Sequence, residues 1–122
     1  NAPIPIIIVT HCNHANEISK QVAASCLALK HTNITLLNQA VLLKGINDDA
    51  LALTQLSEQL FISGILPYYL HLLDKATGTA HFEVTQEEAI KHHQQMQHSL
   101  PGYLVPKLVT EQAGKAAKTL LI

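Results

Sequence analysis

The chain has 122 residues, of which 48% are hydrophobic and 14% are charged, and its formal net charge is −1. This length is enough for one domain with a core but not for a complete (β/α)₈ barrel, which needs about 250 residues. The near-neutral charge provides no basic surface for nucleic acid, and no apolar run reaches the ~20 residues of a membrane span. We therefore expect neither nucleic acid nor a membrane as a partner. The apolar, weakly charged composition also predicts a surface that further protein covers.

The predicted elements alternate strictly between strand and helix. Runs rich in β-branched residues predict buried strands, and the amphipathic segments between them begin at residues suited to helix caps. The predicted strands are at 4–10, 34–43, 65–73 and 103–109. The first predicted helix spans about 17–30 and is capped by Asn16, and the second is marked by apolar residues from 51 to 61 and capped by Asn47 or Asp48. The third runs from the capping box of Thr85 and Glu88 to about His98. The tail is predicted to be loop-like. Four strands and three helices in this order predict an α/β fold with parallel β/α repeats in a single domain, 1–122.

Two architectures fit this order, a small three-layer α/β domain and part of a TIM-like barrel. Polar residues inside or after three predicted strands favour the barrel: His11, the pair Asn38-Gln39, and Asp74. The carboxyl ends of parallel strands meet at one rim, where ligands bind. Each residue also has a purely structural interpretation, because His11 and Asp74 suit turns or caps, and Asn38-Gln39 suits a β-bulge or a satisfied core amide.

Cysteine and histidine give little support for a metal site. Cys12 and Cys26 are the only cysteines. They are too few for a zinc motif or a disulfide framework, so both are predicted to be reduced thiols of a cytoplasmic protein, with Cys26 in the core. His11 and His14 lack a carboxylate ligand pattern nearby, and we expect no metal there. The polar, Gln-rich third helix predicts a solvated face for its histidines, His92, His93 and His98.

Five segments carry a family resemblance: HCNHANE at 11–17, LLNQAVLLKGIND at 36–48, LPYYLHLLDKATGTAHF at 66–82, GYLVPKL at 102–108 and KT at 118–119. They resemble the lysine 2,3-aminomutases, which are radical S-adenosylmethionine enzymes that also use pyridoxal phosphate. The similarity is strongest to the short bacterial branch that acts in modifying elongation factor P. It extends over essentially all 122 residues but only about the C-terminal third of such an enzyme. The resemblance therefore implies the C-terminal part of a partial TIM-like barrel, with the N-terminal part of the same barrel as its partner.

The resemblance also implies a reaction and its cofactors. Enzymes of this family convert L-lysine to β-lysine by a radical 1,2-amino shift on pyridoxal phosphate, with S-adenosylmethionine and a [4Fe–4S] cluster, and these cofactors carry the hard chemistry. Lys118 falls at the position of the catalytic lysine that holds pyridoxal phosphate as a Schiff base. Lys115 is the neighbouring alternative, because the sequence around these lysines departs from the glycine-rich loop of the longer enzymes.

Five further positions follow from the resemblance. Asp74 and Glu111 fall at the two acids that hold the distal ammonium of the lysine substrate. His11 and Gln39 fall where the family contacts S-adenosylmethionine. Asp49 stands where the longer clostridial-type enzymes have an internal zinc-binding cysteine, so no structural zinc is expected.

Two absences from the sequence affect the expected function. These 122 residues contain no CxxxCxxC motif for cluster thiolates and no arginine to hold the substrate carboxylate or the cofactor phosphate. Both are expected upstream, so the isolated chain is predicted to be inactive although the full-length protein is an isomerase. A homo-oligomeric parent enzyme is compatible with the sequence. The alternatives are a stand-alone α/β ligand-binding module without catalysis, and a degenerate paralogue that only associates with other proteins.

Overall fold

The structure, a computed structural model, describes residues 4–30, 33–73, 83–110 and 119–120. Its elements in chain order are β1 (Ile6–Thr10), α1 (Lys20–Lys30), β2 (Ile34–Leu42), α2 (Ala50–Ile62), β3 (Ile65–Leu72), α3 (Gln86–Ser99), β4 (Lys107–Thr110) and β5 (Thr119–Leu120). Short 3₁₀ turns, Ala15–Glu17 and Gly102–Leu104, follow β1 and α3. The predicted α/β alternation of four parallel strands with three helices is confirmed. No helix in these described ranges is long and apolar enough to cross a bilayer.

The five strands form one sheet whose spatial order is the chain order, β1-β2-β3-β4-β5. Strands β1 to β4 pair in parallel, and β5 pairs with β4 in antiparallel orientation. A doubly wound sheet would reverse direction at a switch point, whereas a barrel segment adds each strand beside the last. The order therefore fits part of a β/α barrel. The two-residue strand β5 corrects the prediction that the whole tail is loop-like.

All three helices contribute to one core on one face of the sheet. The strands supply buried residues such as Leu36, Leu70 and Leu108, and α2 and α3 cover them with residues such as Leu53 and Met96, while α1 adds partly buried side chains. Because side chains alternate across a strand, the intervening residues point to the opposite face. We call this opposite side the open face: on β2 to β4 it carries Thr35, Leu37, Gln39, Val41, Leu66, Tyr69, His71 and Lys107, all half-buried or exposed.

The starts of α1 and α2 differ from the predictions by one to three residues. Asn16 does not cap α1, because it lies in a 3₁₀ turn, and the hydroxyl oxygen of Ser19 accepts the hydrogen bond of Val22 N–H at 3.1 Å instead. Asp49, not Asn47 or Asp48, caps α2, accepting from Ala52 N–H at 2.7 Å. Adjacent Asn and Asp residues are equally good caps by residue type, so only the backbone geometry selects among them.

The third repeat confirms one prediction and corrects two. Thr85 caps α3 by accepting from Glu88 N–H at 3.2 Å, as the capping-box pattern predicts. The predicted solvated face is wrong for His93, which is 4% exposed because it shares the inner face of α3 with Ala89 and Met96. Its Nε2–H donates to the carbonyl oxygen of Pro106 at 2.7 Å. The strand predicted at 103–109 begins only at Lys107, since a 3₁₀ turn occupies its start.

Strand β1 is exposed, although its sequence predicts a fully buried strand. It pairs only with β2, and its other edge has no neighbour among the described residues. Ile7 is 63% exposed, and the rest of β1 is exposed or half-buried. A parallel strand this apolar is normally covered on both sides. The composition of β1 therefore matches a position inside a larger sheet.

Candidate functional site

The candidate site lies on the open face beside the end of β1. Thr10, the last residue of β1, pairs with Asn38 of β2, so His11 and Gln39 are the next residues along two adjacent strands. The side chain of His11 is exposed, and that of Gln39 is half-buried. Neither makes a side-chain hydrogen bond with another described residue, so an imidazole and an amide are available to a ligand. The structure thus brings together two of the five residues selected from the sequence.

A β-bulge in β3 adds two tyrosines beside Gln39. Asn38 pairs with Pro67 but Gln39 pairs with Tyr69, so Tyr68 is the extra residue. A bulge breaks the strict alternation of a strand and redirects a side chain. The Tyr68 and Tyr69 rings meet edge to face with their centroids 4.4 Å apart. A bulge was one of the two structural interpretations of Asn38-Gln39; the register does shift between these residues, but the extra residue is Tyr68 of the partner strand.

Strand β4 adds a positively charged side chain, Lys107, beside these tyrosines. Lys107 pairs with Tyr69, and its Nζ lies 5.2 Å from the centroid of the Tyr68 ring. His71 lies two residues further along β3, with its ring centroid 5.8 Å from that of Tyr69. The open face thus combines aromatic faces for stacking, amide and imidazole groups for hydrogen bonding, and an ammonium for an anionic group.

Asn38, the neighbour of Gln39, points the other way and is fully used by the protein. It is 1% exposed. Its Oδ1 accepts from Cys12 N–H at 2.9 Å and from the Thr10 hydroxyl at 2.8 Å, and its Nδ2 donates to the Cys12 carbonyl at 3.0 Å. One side chain therefore holds the residues on both sides of His11. This confirms the structural interpretation of Asn38 as a satisfied amide in the core.

Two more asparagines continue this contact network. Asn47 is 0% exposed. Its Nδ2 donates to the carbonyls of Asn13 and Val41 at 2.7 and 2.9 Å, and its Oδ1 accepts from Leu43 N–H at 2.7 Å. The Oδ1 of Asn13 accepts from Val41 N–H at 2.9 Å. We call Asn13, Asn38 and Asn47 the amide clasp, because together they join the loop after β1 to β2 and to the loop after it.

The clasp also holds the main chain of a residue that carries a thiol, Cys12. Cys12 is half-buried and free. Burial raises the pKa of its thiol, and the negative charges of Glu17 and of the Cys26 thiolate raise it further. Cys12 is therefore less reactive at neutral pH than an ordinary cysteine, because the thiolate is the nucleophile. Cys26, also free, is half-buried and packs against the core as predicted.

The other three residues selected from the sequence, Asp74, Glu111 and Lys118, lie outside the described residues, as does the alternative lysine, Lys115. Their predicted roles stay predictions. Within the described ranges, no group of three His, Cys, Asp or Glu side chains is arranged to hold a metal ion. Asn13, Asn47 and Lys107 also contribute to the site, and they were not selected from the sequence as site residues. The only available signal was the recurrence of asparagine shortly after or within predicted strands.

Comparison with known proteins adds an independent finding. No protein-family model matches the chain. The chain is similar to L-lysine 2,3-aminomutase of Haemophilus influenzae, with 54% identity over 114 residues, 93% of the chain and 34% of that protein. It is similar to L-lysine 2,3-aminomutase of Escherichia coli, with 45% identity over 118 residues, 97% of the chain and 34% of that protein. L-lysine 2,3-aminomutase of Clostridium subterminale is 32% identical over 115 residues, 94% of the chain and 28% of that protein.

The chain spans about a third of the length of the curated relatives it matches. The resemblance to the lysine 2,3-aminomutases is confirmed, and it extends along nearly the whole chain.

Proposed function

We propose that this chain is the C-terminal part of a lysine 2,3-aminomutase, an isomerase that converts L-lysine to β-lysine by a radical 1,2-amino shift. The observation that carries the proposal is the 54% identity over 114 residues to L-lysine 2,3-aminomutase of Haemophilus influenzae. Two features of the structure support it. The strand order fits part of a barrel, and the open face presents unused polar side chains next to aromatic rings at its rim.

The relatives also favour one branch of the family. The matched stretch is 34% of the Haemophilus protein but 28% of the Clostridium subterminale protein, so the former is the shorter enzyme. The chain is more similar to the shorter enzyme. This similarity supports our proposal that the chain belongs to the short branch, in which β-lysine would be used in modifying elongation factor P.

The residues at the rim fit a role in binding S-adenosylmethionine. The Gln39 amide and the His11 imidazole offer donors and acceptors that no described residue uses, and Tyr68 and Tyr69 offer ring surface for a base. When bound, S-adenosylmethionine with its cluster supplies the radical, and pyridoxal phosphate stabilises it during the amino shift. Cys12 and Cys26 lie on a loop and on α1 and do not match a cluster motif, so the cluster ligands belong to the rest of the polypeptide.

The remaining proposed roles belong to residues that follow β3 and β4 in the sequence and lie outside the described residues. Asp74 and Glu111 would hold the distal ammonium of lysine through charge-assisted hydrogen bonds, which selects lysine over amino acids with neutral side chains. Lys118 would hold pyridoxal phosphate through its amine. Lys115 is the alternative. Replacing each lysine separately by alanine in the full-length protein shows which replacement removes the visible absorbance of bound pyridoxal phosphate.

The exposure of β1 argues against the alternative that the chain is a stand-alone binding module. In a complete domain, the apolar residues of β1 would leave an unprotected sheet edge open to edge-to-edge aggregation. A preceding strand of the same polypeptide would cover this edge.

The test uses the full-length protein, purified without oxygen and supplied with iron, sulfide, pyridoxal phosphate and S-adenosylmethionine. We expect L-lysine to be converted to β-lysine, and Lys118→Ala to abolish both the conversion and the visible absorbance of bound pyridoxal phosphate. A loaded enzyme that leaves L-lysine unchanged would overturn the proposed reaction. Deletion of the gene in its host should remove the β-lysyl mass from elongation factor P, and an unchanged mass would refute the branch.

A further inference from the structure

The loop that carries His11 is fixed on both sides of this residue, while His11 itself makes no side-chain hydrogen bond with a described residue. Thr10 before it and Cys12 after it both bond to the side chain of Asn38. Asn13, one residue further, is held through its carbonyl by Asn47 and through its own side chain by Val41 N–H. A histidine that only capped a turn would not need this support.

The clasp couples the two candidate ligand contacts. Asn38 and Gln39 are consecutive, and they point to opposite faces of β2 because of strand alternation. Asn38 therefore sets the position of His11 from the buried face while Gln39 meets the ligand on the open face. The bulge of β3 lies between these two residues in the pairing register, so the backbone around them departs from a regular strand at the same point.

Buried hydrogen-bonded networks of this kind are costly to leave incomplete. Asn38 and Asn47 are almost fully enclosed, and each hydrogen-bonds main-chain groups of the loop after β1. Their geometry is therefore set by hydrogen bonds within the protein. Functional groups held in place by such supporting residues keep their position when the ligand arrives.

We propose that Asn13, Asn38 and Asn47 are positioning residues that hold the His11 imidazole beside Gln39 for S-adenosylmethionine. This inference rests on the proposed function, because it takes the role of His11 from there. None of the three asparagines touches the ligand in this proposal. They act through the backbone of residues 10–13, and their removal lets the imidazole leave its place.

The test is a double-mutant cycle in the full-length enzyme, with S-adenosylmethionine affinity measured by equilibrium titration and without turnover. Asn47→Ala and, separately, Asn13→Ala should each weaken binding about tenfold, as expected when a contacting group is misplaced. Asn13→Ala removes a single side-chain hydrogen bond and keeps the test usable if Asn47→Ala does not fold. Asn16→Ala is the matched control, since Asn16 is an exposed asparagine of the same loop outside the clasp, and it should leave the affinity within twofold.

The cycle decides between positioning and general support of the fold. In a His11→Ala background, the clasp variants should have no further effect on affinity, because the group that they position is gone. Equal losses in both backgrounds would overturn the inference while leaving the proposed function intact. An unchanged affinity in His11→Ala alone would instead refute the role of His11, and the inference with it.

A second readout needs no cofactor. Amide hydrogen exchange of residues 11–13 in the ligand-free enzyme should be faster in Asn47→Ala and Asn13→Ala than in the parent, and unchanged in Asn16→Ala. Exchange that stays slow in both clasp variants would show that the loop is held by other contacts and would overturn the inference.

Discussion

Asn38 and Gln39 are neighbours in β2, yet they belong to different regions of the molecule. Asn38 faces the helices, is 1% exposed and uses both atoms of its amide on the loop after β1. Gln39 faces the open side and uses its amide on no described residue. Two amides side by side in an apolar strand look alike in the sequence. Their surroundings make one of them a structural residue and leave the other available to a ligand.

The same contrast extends over the whole sheet. The sheet face that the helices cover is a packed core, in which Leu70 and Leu108 are each 1% exposed. The open face mixes apolar residues with two tyrosines, a histidine and a lysine, and most of it is only partly covered. A surface that is both apolar and functional fits the interior of a barrel better than the outside of a complete domain. The open face is therefore the side of the sheet on which the proposed function expects further protein and ligands.

The largest expected effect separates the two amides. Asn38→Leu should lower the free energy of unfolding of the full-length enzyme by roughly 1–3 kcal/mol for each main-chain group of Cys12 left without a partner. Gln39→Leu, with the same added residue one position away, should change it by less than about 0.5 kcal/mol. Urea unfolding of the two variants measures this difference.

Binding should show the reverse pattern. Gln39→Leu should weaken S-adenosylmethionine binding about tenfold, or about 1.4 kcal/mol, without changing the urea midpoint. Should Gln39→Leu unfold as easily as Asn38→Leu and bind normally, Gln39 would be structural and the distinction between the two faces would fail at this position.

Much of the fold follows from sequence pattern because the pattern and the packing agree. The order of strands and helices, the Thr85 cap and the end of α2, where Gly64 has a φ of 81°, are local features that residue type determines. The exposure of β1 could not be predicted, since burial of a strand depends on its neighbours, and among the described residues β1 has only β2 beside it. His93 was misjudged because polar neighbours in the sequence hid an inner helix face.

The site was less predictable than the fold. A satisfied amide in the core was one interpretation of Asn38, but its contacts join residues 26 and more positions apart, and no local pattern encodes such partners. The role of Asn47 was mistaken for a helix cap for the same reason. His11 and Gln39 were selected through family resemblance, and their adjacency then follows from the parallel register of β1 and β2.

A smaller expected effect concerns β1, the edge strand of the sheet that is uncovered among the described residues. The isolated 122-residue chain should self-associate through β1, and Ile7→Lys should raise the concentration needed for association on the order of tenfold, because a lysine discourages edge pairing. Ile62→Lys is the matched control, since Ile62 on α2 is 65% exposed and Ile7 is 63% exposed. Light scattering over a concentration series measures both. A monomeric parent chain, or equal effects of the two lysines, would contradict association through β1.

The smallest expected effect is the pH response of Cys12. Burial, with the charges of Glu17 and Cys26, raises the pKa of this thiol. Alkylation of Cys12 should therefore be slower than that of a cysteine in a peptide at pH 8, and its rate should keep rising at pH values where the peptide has levelled off. Because the folded state holds the thiol proton more tightly than the unfolded state, this group's contribution to stability is complete below the pKa of an unfolded cysteine. That contribution is lost as the pH rises through the folded pKa.

Replacing Glu17 separates the two causes of the raised pKa of the Cys12 thiol, burial and nearby charge. Burial is the larger influence on the thiol, so Glu17→Gln should shift the midpoint of the alkylation profile only slightly downward. Asn47→Ala opens the loop and should shift it further, since it exposes the thiol to water. Mass spectrometry of the labelled Cys12 peptide follows both profiles, with Cys26 as the internal reference. A larger shift from Glu17→Gln than from Asn47→Ala would mean that charge, and not enclosure by the amide clasp, controls this thiol.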